Sequence, residues 1–151
     1  MEIEKKFLLH SLPIGIDQYD SVEIEQAYIS IDPTIRLRMR NNDYFLTVKK
    51  NGILAREEAE FVITKEQFNH LWMKIETNII KKTRFLIPIQ NGLTAELDIY
   101  YGILQGLMTI EVEFTSIEQA NCFVPPEWFG ADITDDLKYR NSQLAVNGLT
   151  R

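Results

Sequence analysis

Eight stretches of the chain alternate in character with a period of two: residues 2–9, 22–31, 34–40, 44–50, 53–63, 81–88, 94–101 and 107–115. That period marks strands, because successive side chains along a strand point to opposite faces of the sheet. Turn-forming residues separate most of the stretches. Asn51-Gly52 and Asn91-Gly92 suit hairpin turns, and Asn41-Asn42-Asp43 suits a third. Pro33, Gly102 and Gly106 punctuate the other links. Short links between consecutive strands predict an antiparallel meander, and eight strands are enough for a sheet to close on itself as a barrel.

Helical signals are fewer. Thr64 and Gln67 form a capping-box pattern ahead of an apolar stripe at Phe68, Leu71, Trp72, Ile75 and Ile79, which predicts a helix between the fifth and sixth strands. Ser116 with Gln119 starts a short helix that ends before Pro125-Pro126. A last helix is expected from Thr134 or Asp135 to about Val146, stopped by Asn147-Gly148. Trp72, Trp128 and Phe129 read as packing residues. No repeat or linker interrupts the pattern, so residues 1–151 are read as one domain.

Composition removes several classes of function. No apolar run approaches the roughly 20 residues needed to span a bilayer. Met1-Glu2-Ile3-Glu4 opens acidic rather than as a signal peptide, so no membrane and a cytoplasmic location are expected. Cys122 has no partner for an intrachain disulfide, and His10 and His70 are too few for a zinc site. With net charge −6, the chain lacks the basic excess of a nucleic-acid binder, and no nucleic-acid partner is expected.

Where the charges sit matters more than their sum. Glu2, Glu4 and Lys6 share one face of the first strand, and Arg36, Arg38 and Arg40 share one face of the third. Lys49 lies on the fourth; Arg56, Glu58 and Glu60 on the fifth; Lys82 and Arg84 on the sixth. Glu96 with Asp98, and Glu111 with Glu113, occupy the last two. On a solvated sheet face such charges pair across strands for about 0.2–1 kcal/mol each. Here the signs are segregated, with three arginines on one strand and carboxylate pairs on others. Like charges two residues apart repel unless something of opposite sign lies between them. If the sheet closes, one charged face becomes the lumen, where carboxylates suit hard cations such as Mg²⁺ or Mn²⁺ and Arg or Lys grips phosphate oxygens. That combination suits a metal-complexed di- or triphosphate.

Glu2-x-Glu4-x-Lys6 resembles the N-terminal signature of the CYTH superfamily, the triphosphate tunnel metalloenzymes. The chain is also similar to the family at Gln26-Ala27-Tyr28, Arg36-Leu37-Arg38, Leu46-Thr47-Val48-Lys49, Glu58-Ala59-Glu60, Lys82-Thr83-Arg84, Glu96-Leu97-Asp98 and Glu111-Val112-Glu113. Thr134-Asp135-Asp136-Leu137-Lys138-Tyr139-Arg140-Asn141 with Leu144-Ala145 resembles its C-terminal motif. The resemblance implies a mainly β (α+β) fold: a closed eight-stranded antiparallel β-barrel whose lumen is the active site, with helices outside and a C-terminal plug helix. It implies a Mg²⁺- or Mn²⁺-dependent reaction on a small-molecule triphosphate, using one or two ions.

Carried over by position, Glu2, Glu4, Asp98, Glu111 and Glu113 are the expected metal ligands. Glu4, Lys6, Glu96, Asp98 and Glu113 are the expected catalytic set. Lys6, Tyr28, Arg36, Arg38, Lys49, Lys82, Arg84 and Lys138 are expected to bind the phosphates. Arg56, Glu58 and Glu60 are expected to line the tunnel without an assigned role. Arg40, at a strand end, is expected to face solvent, and apolar area on the outer face suits a homodimer contact. Hydrolysis of inorganic tripolyphosphate or a nucleoside triphosphate is the leading reading. The alternatives are adenylate cyclisation, thiamine triphosphate hydrolysis with Trp128 and Phe129 as an aromatic platform, and a non-catalytic polyphosphate- or nucleotide-binding module.

Overall fold

A computed structural model describes residues 1–50 and 55–149. Its strands are β1 (Glu2–Leu9), β2 (Asp20–Ser30), β3 (Thr34–Arg40), β4 (Asp43–Lys49), β5 (Ala55–Arg56), β6 (Glu58–Ile63), β7 (Ile80–Pro88), β8 (Thr94–Tyr101), β9 (Met108–Glu113) and β10 (Phe129–Asp132). The α-helices are α1 (Lys65–Trp72), α2 (Ile117–Asn121) and α3 (Asn141–Asn147). The expected turn at Asn51-Gly52 lies outside the described residues. At the other two turns the backbone adopts the positive φ the sequence asks for: Asn41 at 52°, Asn91 at 59° and Gly92 at 71°.

All strand pairs are antiparallel, and neighbours run β10-β1-β9-β8-β7-β2-β3-β4-β6. The expected fifth strand is broken at Glu57. Beyond the break β6 stays on β4, while β5 crosses to β1 and pairs Arg56 with Glu2 and Ala55 with Ile3. Among the described residues these two pairs are all that bridges the seam, so the barrel is near-closed rather than closed. The break is forced by geometry: a single straight strand cannot follow β4 and also reach β1, and the switch at Glu57 shares it between them. The Lys50 amide donates to the Glu57 carbonyl at 3.1 Å and keeps the kink anchored to the end of β4.

The sequence pattern misses β10. It is four residues long and holds Gly130, where a Cβ would stand 2.9 Å from the Leu8 carbonyl oxygen. Only glycine lets this strand lie so close to β1.

The apolar faces of the strands point outward and are covered in part by helices and by β10, with Phe61 of β6 left exposed. Ile3, Phe7, Leu97, Ile110, Val112 and Phe114 pack with Ala120 of α2 and Phe129 of β10. Phe68 of α1 stacks on Trp72 at 4.8 Å and meets Tyr44 at 4.9 Å. Thr64 caps α1 as expected: its hydroxyl accepts from the Gln67 amide at 3.1 Å, and the Gln67 side chain returns the bond at 2.9 Å. The helix nevertheless ends at Trp72, short of Ile75 and Ile79. The backbone amides of Glu76 and Asn78 are taken instead by the carbonyls of Tyr28 and Ala145. The expected C-terminal helix is also divided. Arg140 is extended at φ −64°, ψ 137° and separates a 3₁₀ turn (Leu137–Tyr139) from α3. No helix among the described residues is long and apolar enough to cross a membrane.

Candidate active site

The charged faces of the strands meet around a cavity of about 490 Å³. Into it point Glu2, Glu4 and Lys6 from β1, Tyr28 from β2, Arg36, Arg38 and Arg40 from β3, and Lys49 from β4. Thr34, Phe45, Arg56, Glu58, Glu60, Arg84, Glu96, Glu111 and Glu113 complete the strand contribution. Segment 133–142 supplies the remaining wall with Ile133, Thr134, Asp136, Arg140, Asn141 and Ser142. Lys6 holds that segment in place. Its backbone carbonyl accepts from the Ile133 amide at 2.8 Å, and its Nζ donates to the Tyr139 carbonyl at 2.6 Å.

Three expected site residues stand elsewhere. Lys138 lies on the surface, 53% exposed in its side chain and 3.5 Å from Asp136. Asp98 and Lys82 are sealed behind Arg84, at 0% and 1% exposure. Asp98 accepts from Arg84 Nε and Nη2 at 2.8 and 2.9 Å, and Lys82 Nζ stands 2.8 Å from Oδ2, the oxygen that also takes Nη2. The Lys82 ion pair is close but badly aligned for a hydrogen bond, and the ammonium also faces the Tyr100 ring at 5.3 Å. Burial pushes Lys82 down to about 7 despite Asp98. Burial would raise Asp98, but Arg84 and then Lys82 outweigh it and hold the carboxyl below its usual range. Arg40, expected in solvent, lines the cavity, because β3 keeps its alternation to its last residue.

The remaining carboxylates divide by how well they are neutralised. Glu2 accepts from Lys49 at 3.0 Å and from Arg56 at 3.1 Å, and Arg56 reaches on to Glu4 at 2.8 Å. Burial would raise Glu111, but Lys6 at 3.6 Å and Arg84 at 3.8 Å lead the cations that hold it well below the usual carboxylate range. Glu4 stands directly opposite Glu113, and Glu96 opposite Glu111, an arrangement of like charges that costs energy in a sheet. Glu4, Glu96 and Glu113 accordingly have raised pKa values. Burial is the leading cause in each, followed by Glu111 for Glu4, by Glu2 for Glu113, and for Glu96 by its carboxylate neighbours against Arg84. Glu113 has no hydrogen bond or ion pair among the described residues.

The opposite wall is basic. Arg36 is 3.5 Å from Glu60 and donates to Thr47 at 3.2 Å, while its Nε is buried without a partner. Arg38 has no carboxylate partner among the described residues. Burial, then Arg36 and Arg84, lower its pKa to about 9, so it stays charged at neutral pH. Lys49 and Glu58 are 3.9 Å apart. The site is therefore an anion-poor arginine wall facing a cation-poor carboxylate patch. Sequence reasoning assigned no role to Thr34, Thr134, Asp136, Arg140, Asn141 and Ser142, which line the cavity, or to Gln26 and Thr47, which hydrogen-bond to arginines that do. Gln26 could have been found, since it shares a strand face with Tyr28.

Trp128 and Phe129 lie outside the cavity. Trp128 meets Phe129 edge-on at 4.6 Å, and Phe129 packs on Phe7 at 5.0 Å. The aromatic platform expected for a thiamine moiety is thus part of the outer core.

No protein-family model matches the chain. An inorganic triphosphatase of Nitrosomonas europaea is 40% identical over 150 residues, covering 97% of each protein. One of Acetivibrio thermocellus is 32% identical over 154 residues, covering 97% of this chain and 94% of that protein. The crystal structure of an inorganic triphosphatase superposes with a TM-score of 0.71 at 38% identity, covering 97% of this chain and 95% of that one. A protein from Hippeastrum with triphosphatase activity shares the fold at 17% identity, with a TM-score of 0.59.

Proposed function

Since the chain belongs to the CYTH superfamily of triphosphate tunnel metalloenzymes, we propose that it is an inorganic triphosphatase that hydrolyses tripolyphosphate with the help of a divalent cation. The observation that carries this reading is the division of the cavity into an arginine wall and an under-neutralised carboxylate patch. Arg36, Arg38 and Arg40 grip phosphate oxygens, with Lys6 and Lys49 completing the basic contacts. The buried Nε of Arg36 and the carboxylate-free Arg38 are donors that a polyanion satisfies.

The carboxylates fit a hard cation. Neither His nor Cys lines the cavity, and Glu4, Glu96 and Glu113 hold their protons more tightly than ordinary carboxylates because burial and neighbouring carboxylates outweigh Arg56 beside Glu4 and Arg84 beside Glu96, while Glu113 has no cation partner among the described residues. Among the described residues no three acidic groups form a ready-made metal cage. Mg²⁺ is commonly held by one or two carboxylates together with substrate phosphates, so the donor set suits it. Glu4 and Glu113 would hold the ion, with Glu96 beside them and Glu2 and Glu111 behind, tied to Lys49 and Lys6. When bound, such an ion offsets charge on the phosphoryl group and acidifies water. The chain's own part is positioning. The arginines fix the phosphate chain, the carboxylates orient water toward a terminal phosphorus, and cleavage of the bridging P–O bond releases phosphate and pyrophosphate.

The predominantly charged lining favours an inorganic chain over a nucleotide: among the residues that line the cavity, Tyr28 and Phe45 are the aromatics. Phosphate release should be compared for tripolyphosphate, ATP and thiamine triphosphate with Mg²⁺, Mn²⁺ or chelator, and cyclic nucleotide measured with ATP. Metal-dependent release from tripolyphosphate, at least about tenfold above the other substrates in kcat/KM, is expected. Undiminished turnover in chelator, or cyclic nucleotide as the main product, would overturn the reading.

A further inference from the structure

Gln26 is 0% exposed, and its side chain stands between two residues of the site. Arg38 Nε donates to Gln26 Oε1 at 2.8 Å, and Gln26 Nε2 lies 3.1 Å from the Tyr28 hydroxyl. The register places Gln26 opposite Arg38 and Tyr28 opposite Arg36, so the three side chains share one face of the β2–β3 pair.

The direction of each bond follows from the groups themselves. A guanidinium N–H can only donate, so the amide oxygen of Gln26 must face Arg38 and its nitrogen must face Tyr28. An amide N–H can only donate as well, so the phenolic oxygen accepts. The single Tyr28 proton therefore cannot point at Gln26. No acceptor for it exists among the described residues, and the ring borders the cavity. Burial, partly offset by Arg36 and Arg38, raises the Tyr28 pKa, so the phenol keeps that proton at neutral pH. On the other side of the amide, the bond to Nε leaves both terminal nitrogens of Arg38 free of carboxylates, the pair a phosphate uses in bidentate binding.

We propose that Gln26 is a positioning residue: its amide turns the Tyr28 hydroxyl proton into the cavity as a donor to the triphosphate and aligns Arg38 on the same ligand. This rests on the triphosphatase reading of the cavity. Gln26 touches no substrate and acts through two groups that do. The two effects are separable, since the Tyr28 arm bears on kcat and the Arg38 arm on KM.

Gln26→Glu is the informative variant. A carboxylate still accepts from Arg38, but it also accepts the Tyr28 proton and turns it away from the cavity. With tripolyphosphate and Mg²⁺, kcat should fall about tenfold in the Tyr28 background and less than about twofold in a Tyr28→Phe background. KM should rise about tenfold in Gln26→Leu, which abandons Arg38, and at least as much in Gln26→Glu, whose carboxylate pairs with Arg38 and competes with the phosphate. Gln26→Leu also carries the kcat comparison should Gln26→Glu not fold. Equal losses of kcat in both backgrounds, or none in either, overturn the proposal while wild-type hydrolysis leaves the functional reading standing. A folded wild type that neither hydrolyses tripolyphosphate nor binds it by calorimetry overturns both.

Discussion

Asp98 offers a sharp test, because its sequence position marks it as a metal ligand while its surroundings make it a buried counter-ion. It is fully enclosed, clamped by two bonds from Arg84 and one close contact from Lys82. Asp98→Asn keeps the shape and one acceptor but removes the charge and presents an NH₂ to a donor. Removing one partner of a buried ion pair costs about 3–5 kcal/mol. Two features place this case at the lower end. Arg84 keeps Glu96 at 3.1 Å, and Lys82, already down at about 7, can shed its proton. We expect a loss of about 3 kcal/mol, which for a chain of this length lowers Tm by roughly 6–12 °C. With a urea m-value of about 2 kcal/mol per M, the midpoint drops by about 1.5 M.

The pH dependence supplies a second readout. Folded Lys82 binds fewer protons than unfolded Lys82 between about 7 and its ordinary 10.5. Stability therefore rises with pH across that window. In Asp98→Asn the rise should begin at lower pH, because the carboxylate no longer supports the ammonium. Urea titrations from pH 6 to 9 measure both effects. A variant within about 0.5 kcal/mol of wild type, but needing far more Mg²⁺ for half-maximal activity, would refute the counter-ion role and return Asp98 to the metal.

The other carboxylates should behave in the opposite way. Glu113→Gln relieves repulsion rather than breaking a pair, so the metal-free protein should keep its stability to within about 1 kcal/mol while hydrolysis drops at least about 100-fold; thermal melts in chelator and a phosphate-release assay test this. With the folded pKa values of Glu4, Glu96 and Glu113 raised, the folded state binds more protons than the unfolded one just above the ordinary carboxylate value, so metal-free stability falls as pH rises through that window. Melts with and without Mg²⁺ from pH 4 to 8 should therefore show more stabilisation by Mg²⁺ at the upper end. Arg38→Ala should raise KM for tripolyphosphate about 10- to 100-fold, consistent with about 1.5–3 kcal/mol for a charged hydrogen bond, and leave the metal-free Tm unchanged or higher.

The strands were legible because alternation is a local signal repeated many times. β1, β3 and β8 match the pattern to the residue, and the same alternation puts the charged faces together once the sheet curls. What the pattern could not supply was competition from distant groups. The stripe through Ile75 and Ile79 predicts a longer α1, yet Tyr28 and Ala145 capture the amides of Glu76 and Asn78. Alternation also assigns Asp98 to the same face as Glu96. It cannot report that Arg84 and Lys82 fill that end of the barrel and enclose one carboxylate while leaving the other at the cavity. Lys138 was placed by its motif rather than by a period, and the 3₁₀ turn that holds it faces outward.

A barrel interior lined by charges of both signs could in principle neutralise itself completely, and such a site would have little to gain from a ligand. Here the pairing is deliberately incomplete in space. Glu2, Glu111 and Asp98 take Lys49, Arg56, Lys6, Lys82 and Arg84, so the cations near the carboxylates are consumed. That leaves Glu113 bare on one side and Arg38 without a carboxylate on the other, too far apart in the strand order to correct each other: one sits on β9 and the other on β3. A phosphate chain carrying a divalent cation brings the missing charge of each sign to the wall that lacks it. The stability held back by both walls is then released on binding, which is why ligand and metal should stabilise the fold together more than the sum of either alone. Additive shifts in Tm from Mg²⁺ and a non-hydrolysed triphosphate analogue would show instead that the two walls act independently.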